Sequence, residues 1–194
     1  MHRRDALTLM SAVTAHALFA SVVTEAAEAA ATIDATGEAW VPKWLPKERA
    51  AMLEALVDTI LPATDTPGAK QARVQLFVDL ALRDCYTPDE QRLFTTGLEA
   101  LAADCGKTHG KPFEACSPEE RHALLALLDA ASYKPDTGAR GSFVRILKDL
   151  TLVGFFTSQI GATQVLAYEK VPGGYRGCVE LRPDQKAWAT GIGN

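Results

Sequence analysis

Two short stretches, TPDE at Thr87–Glu90 and SPEE at Ser117–Glu120, punctuate this sequence in the same way. In each, a hydroxyl residue precedes a proline, and a glutamate stands three positions after the hydroxyl. The hydroxyl can accept from the backbone N–H of the glutamate, whose carboxylate can reach back to the cap's own N–H. Proline, with its preset φ and no N–H to lose, suits the first helical position between them. A chain carrying this grammar twice commits its middle to helices that start at Pro88 and Pro118. Composition and spacing carry them to about Asp104 and about Ser132.

The flanking segments also read as helical. Pro46 sits at a helix start, with Lys47 and Glu48 in the first turn. From there Met52, Leu53, Leu56, Val57, Ile60 and Leu61 recur at helical spacing. Pro62 ends that run, because the residue before a proline is pushed out of the α region. Val74, Phe77, Val78, Ala81 and Leu82 mark a second helix to about Tyr86. Phe143, Ile146, Leu147, Leu150 and Val153 mark a fifth, continuing into GFFTSQIGATQVLAY, where Gly161 divides the region. No segment alternates apolar and polar residues between turn signals as a strand would. The expected fold is all-α, an irregular bundle of about five or six helices. Trp40–Pro46 reads as an extended lead-in. Beyond Tyr168 the prolines and glycines of EKVPGGYRGCVELRPDQKAW suggest an extended tail, from about residue 169, lying on a surface.

The chain opens MHRRDALTLM. Arg3 and Arg4 precede an apolar stretch from Ala6 to Val23 that Thr8, Ser11, Thr14, His16 and Ser21 interrupt, which argues against a permanent membrane anchor. Paired arginines before a weakly apolar run are the address of the twin-arginine route, which moves folded proteins. Leu7 fits that pattern, and Ala6 stands where it prefers phenylalanine. Small residues at Ala27, Ala29 and Ala31 supply candidate cleavage pairs. The expected organisation is a twin-arginine signal over 1–31 and a single domain over 32–194, with a periplasmic location. Roughly 165 residues remain after such a signal, enough for one domain with a real core. The net charge of −4, with no basic block in that domain, makes nucleic acid an unfavourable partner.

Motifs that carry chemistry are scarce. The sequence holds no GxGxxG after a strand, no phosphate-binding P-loop, no GxSxG, no CxxCH and no HExxH. Asp58, Asp79 and Asp84 fall among apolar neighbours on helices, and a solvated helix face accounts for them. His122 reads as an exposed helical residue. Cys105, His109 and Cys116 form C-x3-H-x6-C. That is three-quarters of a metal site, but a Cys105–Cys116 disulfide closing the loop between two helices is the simpler account, with free thiols the remaining option. Cys85, near a helix end, and Cys178, in the tail, can pair with each other, or Cys178 can reach another chain. Between the first two helices, ATDTPGA places Thr64, Asp65 and Thr66 on a rigid turn made by Pro67 and Gly68. It is either a tight helix connection or a partner contact.

Several of these blocks together resemble one family. LVDTILPATDTPGA, FVDLALRDCYTPDEQ and FVRILKDLTLVGFFTSQIGATQVLAYEKVPGGYRGCV, following a twin-arginine start, are similar to the gluconate 2-dehydrogenase subunit 3 family over about Leu53 to Val179. The segment Gly106–Cys116 is loosely matched and takes nothing from the resemblance. The resemblance implies a non-catalytic small subunit without a cofactor of its own. Its partner would be a large subunit of the glucose–methanol–choline oxidoreductase fold, which holds FAD and oxidises sugars, sugar acids or related alcohols. The small subunit carries the twin-arginine signal and takes the folded flavoprotein through the translocase. A c-type cytochrome often receives the electrons and can hold such a complex at the inner membrane. The expected interface then comprises Leu61, Pro62, Thr64, Asp65, Thr66, Pro67 and Gly68, the stretch Phe155–Tyr168, and the tail through Tyr175 to Cys178. Phe155, Phe156 and Tyr175 are its large anchors, with a core role for Phe155 and Phe156 standing beside that one. Two other readings compete: a stand-alone periplasmic binding or structural protein, and a small Cys/His metal or redox protein.

Overall fold

The computed structural model describes residues 40–132, 143–171, 173–174, 178, 180 and 182–189. The proposed signal, including Arg3, Arg4 and Leu7, lies outside the described residues, as do Tyr175 and the loop from Lys134 to Gly141. The chain divides into two units, Met1–Trp40 and Val41–Asn194, and every element below belongs to the second.

Five α-helices make up the described architecture: α1 (Ala50–Ile60), α2 (Val74–Cys85), α3 (Pro88–His109), α4 (Pro118–Ser132) and α5 (Phe143–Thr157). Short 3-10 turns at Lys47–Arg49 and Phe113–Ala115 and a π turn at Gly161–Val165 complete it. There is no strand among the described residues, so the bundle is all-α as expected. At α3 the capping box is complete. Thr87 Oγ1 accepts from the Glu90 N–H, and Glu90 Oε2 accepts from the Thr87 N–H at 3.0 Å. At α4 Glu120 Oε2 accepts from the Ser117 N–H at 2.8 Å, and Ser117 Oγ from the Glu120 N–H at 3.2 Å. α3 runs one turn beyond Asp104, to His109, and stops at Gly110, whose φ of +66° is the left-handed geometry that ends helices. Cys105 therefore belongs to the helix and not to the loop after it.

α5 is the central element, packed most extensively on α2 and also on α1, α3 and α4. Met52, Leu53, Leu56 and Val57 of α1, Val74, Val78 and Leu82 of α2, Phe94 and Leu98 of α3 and Leu147 of α5 are fully buried. Two glycines permit close approaches between helices. A Cβ at Gly97 would lie 2.3 Å from the Phe143 Cβ, and one at Gly154 would lie 2.6 Å from the Phe77 ring. Phe94 meets Phe143 edge-on at 5.0 Å, and Trp44 from the lead-in stands 6.5 Å from Phe94.

Asp79 overturns the solvated-face reading. Its side chain is 1% exposed, and its carboxylate accepts from the backbone N–H groups of Lys43 (2.7 Å), Trp44 (3.3 Å) and Leu45 (2.8 Å). The lead-in belongs to no helix, so these donors have no ladder partner, and a buried acceptor on α2 supplies one. Asp58 is half-buried and Asp84 is exposed.

The described residues of the tail carry no helix, and its far end is anchored by backbone bonds. The Ala167 N–H donates to the Ala187 carbonyl at 2.8 Å, and the Ala189 N–H donates to the Ala167 carbonyl at 2.8 Å, an isolated parallel bridge between Ala167 and Trp188. Lys186 Nζ adds a bond to the Gln164 carbonyl at 2.7 Å. Residues 186–189 are thus tied to Gln164 and Ala167, just after the π turn.

Candidate functional site

The surface features of α5 follow from its composition. From Leu150 to Phe156 it reads LTLVGFF, apolar on every side. Leu150, Thr151, Gly154 and Phe155 face inward and are buried. Leu152, Val153 and Phe156 share the opposite side and are 39%, 51% and 39% exposed. Amphipathic surface helices keep that side polar, and helices that are apolar all round are buried on all sides in their working assembly. Phe155, at 2% exposure, is a core residue, and its expected role as an interface anchor is withdrawn. Its ring meets Phe156 edge-on at 5.2 Å, so the core residue props the exposed one. Leu152 and Val153, absent from the sequence-based interface, belong to this face. The signal was present in the all-apolar run, but periodicity alone does not say which side has a neighbour.

The helical path breaks at Ser158, three residues before the expected division at Gly161, and Gly161 instead opens the π turn. A Cβ there would lie 2.0 Å from the Phe155 carbonyl oxygen, so only glycine lets the π turn dock on the end of α5. Ser158 Oγ donates to the Phe155 carbonyl at 2.6 Å and accepts from the Gly161 N–H at 3.0 Å. Further along, Tyr168 and Val171 are 53% and 76% exposed. Cys178 is an exposed, unlinked thiol, and so is Cys85.

The corner between α1 and α2 is rigid for a definable reason. The Ala69 N–H donates to the Leu61 carbonyl at 2.8 Å, and the Thr64 N–H to the Thr66 carbonyl at 3.0 Å. Gly68 lies so near the backbone of Leu61, Pro62 and Ala63 that any Cβ would stand 2.5–2.6 Å from it. Its N–H donates to Gln71 Oε1 at 3.0 Å. Pro62, Thr64 and Asp65 are exposed, Leu61, Thr66 and Pro67 half-buried, and Gly68 is buried, where it shapes the turn without offering a surface. Lys70 bonds Glu54 at 2.9 Å behind the corner, which holds its ammonium pKa above the ordinary value.

Cys105 and Cys116 are brought together, with their sulfurs 3.1 Å apart, both buried and both thiols. His109 does not join them: its Nδ1 lies 3.5 Å from Glu120 Oε1, and Lys111 Nζ lies 2.7 Å from Glu120 Oε2. Lys111, with the Ser117 N–H, pulls the Glu120 carboxyl below its ordinary value of 4.5. Among the described residues no three His, Cys, Asp or Glu gather as metal ligands. No described helix is long and apolar enough to cross a membrane.

Residues 47–173 match the family described as gluconate 2-dehydrogenase subunit 3. The chain belongs to the gluconate 2-dehydrogenase subunit 3 family. The match takes in the α1–α2 corner and the whole of α5, and ends within the VPGG sequence of the tail. No curated protein and no solved structure matches the chain.

Proposed function

We propose that this chain is the non-catalytic small subunit of a periplasmic FAD-dependent dehydrogenase acting on sugars, sugar acids or alcohols. It holds a flavin-bearing large subunit of the glucose–methanol–choline oxidoreductase type and takes it, folded, through the twin-arginine translocase. The observation that carries this reading is the outer side of α5. Leu152, Val153 and Phe156 leave an apolar helix face in water within a family named as a subunit. Obligate subunit interfaces cover apolar faces of this kind, and aromatic anchors contribute most to them. Tyr168, Val171 and the α1–α2 corner extend the contact. In this reading FAD and the chemistry belong to the large subunit. A c-type cytochrome would accept the electrons. Cys178, an exposed thiol in the tail, can join the large subunit through a disulfide and make the attachment covalent.

The test is co-expression with the large-subunit reading frame, comparing the native start with Arg3→Lys/Arg4→Lys. FAD-dependent dye reduction is assayed in periplasm and cytoplasm. The expected result strands both chains and the activity in the cytoplasm. Activity that still reaches the periplasm with the double variant rules out the carrier role. Non-reducing electrophoresis of the purified complex tests Cys178, and complete separation of the subunits removes the covalent link.

A further inference from the structure

The segment Gly106–Ala115 leaves the last turn of α3, reverses at Gly110 and ends in the 3-10 turn that brings Cys116 back onto Cys105. Each thiol donates to a carbonyl of this reversal, Cys105 to Lys111 at 3.5 Å and Cys116 to Pro112 at 3.6 Å. Between them Phe113 is fully buried, and its turn packs on α1 and α3. Cys105 has no exposed surface and Cys116 is 4% exposed, so a reagent in solvent reaches neither.

We propose that Cys105 and Cys116 form an oxidisable latch, closed by thiol–disulfide exchange only when the reversal around Phe113 opens, so that the chain folds first and is locked afterwards. The oxidant is an external disulfide, either that of a disulfide-bearing oxidoreductase or a low-molecular-weight one. In the opened segment one cysteine thiolate attacks the donor disulfide, forms a mixed disulfide and releases one donor thiolate. The second cysteine loses its proton and attacks the cysteine sulfur of that mixed disulfide. The Cys105–Cys116 bond forms and the second donor thiolate leaves. The two cysteine protons end on the two donor thiols, and the donor gains the two electrons that the cysteines lose.

The folded state withholds both reactants. Burial, and then the neighbouring Cys116, push the Cys105 thiol up to about 12. The reactive thiolate is therefore disfavoured while the segment stays closed. Opening requires Phe113 to leave the core and the Lys111–Glu120 pair to part. Reclosure around the new bond fixes the end of α3 to the turn that precedes α4. The exposed thiols Cys85 and Cys178 have no such gate, and serve as internal references. The latch does not depend on the export reading, because it is a property of the chain by itself.

The experiment uses the reduced full-length chain with glutathione disulfide, quenched at intervals by an alkylating agent and mapped by peptide mass spectrometry. Cys85 and Cys178 should be modified first. A peptide linking Cys105 to Cys116, lighter by two hydrogens, should accumulate slowly, and several-fold faster in urea well below the unfolding midpoint. The linked chain should melt about 5–10 °C above the reduced chain, a difference that a dithiol reductant removes. Cys116→Ser should show neither link nor gain, and the reduced wild-type chain is the reference if that variant folds poorly. The latch is overturned if Cys105 and Cys116 end as separately modified residues. It is also overturned if they link as fast as the exposed thiols react, or if urea leaves the rate unchanged.

Discussion

Asp79 and Glu120 are both helical carboxylates, and their surroundings give them different work. Asp79 is buried against three backbone N–H groups of the lead-in. Asp79→Ala leaves those donors facing a cavity, and should destabilise the chain by about 2–4 kcal/mol in urea unfolding. It should also expose the bonds around Lys43–Leu45 to limited proteolysis before global unfolding. Glu120 sits at the surface, tied to Lys111 and the Ser117 N–H, and its folded pKa is lowered. Its folded form therefore binds protons less readily than the unfolded chain. Its contribution is complete above the ordinary carboxyl range near 4.5 and fades as pH falls through the lower folded value. Glu120→Gln should lower the melting temperature at neutral pH, and the gap should close in acid, as a pH series of thermal melts would show. The Ser117–Glu120 box was legible because it is local grammar. The burial of Asp79 was not, because its partners lie 34–36 positions away in sequence and the donors are backbone, which every residue has.

At the scale of elements, glycines decide how the helices meet. Gly68→Ala forces a Cβ onto the backbone of Leu61, Pro62 and Ala63, and should cost about 1–3 kcal/mol. Gly106→Ala, on α3 with nothing within 4 Å of the added carbon, should instead stabilise by up to about 1 kcal/mol. Paired chemical-denaturation curves compare the two directly, and equal effects would contradict the close approach at the corner. The break expected at Gly161 falls at Ser158, whereas the helix starts at Pro88 and Pro118 and the stop at Pro62 follow from side chains acting on their own backbone. The further turn of α3 past Asp104 does not, since Cys105–His109 carry no strong helix signal and continue to Gly110 because its left-handed geometry ends the helix there. The return of the tail to Ala167 escaped for a related reason: two backbone bonds leave no mark on a sequence.

For the whole molecule, the question is what covers α5. Leu152→Ser/Phe156→Ser replaces two apolar groups of the exposed face and leaves the core residues Leu147, Leu150 and Phe155 in place. The double variant should melt within a few degrees of the parent chain. Co-purification of the large subunit with it should fall at least tenfold, since truncating a central aromatic anchor commonly removes about 2 kcal/mol or more of binding. Full retention of the partner would move the interface away from α5, with Tyr168, Val171 and the α1–α2 corner next to be tested.

The sequence by itself determined the helices, their capped starts, the all-α class and the family. Each of these rests on neighbours within a few positions along the chain, or on blocks of residues that recur together. The tertiary structure alone decided that Phe155 turns inward while Phe156 and its neighbours turn outward, that Asp79 clasps the lead-in, and that Cys105 and Cys116 lie sealed at 3.1 Å. Those outcomes depend on which face of an apolar helix finds a neighbour and on where distant backbone comes to rest. Local spacing cannot specify either, because the same pattern of side chains serves a buried face and a face that awaits a partner.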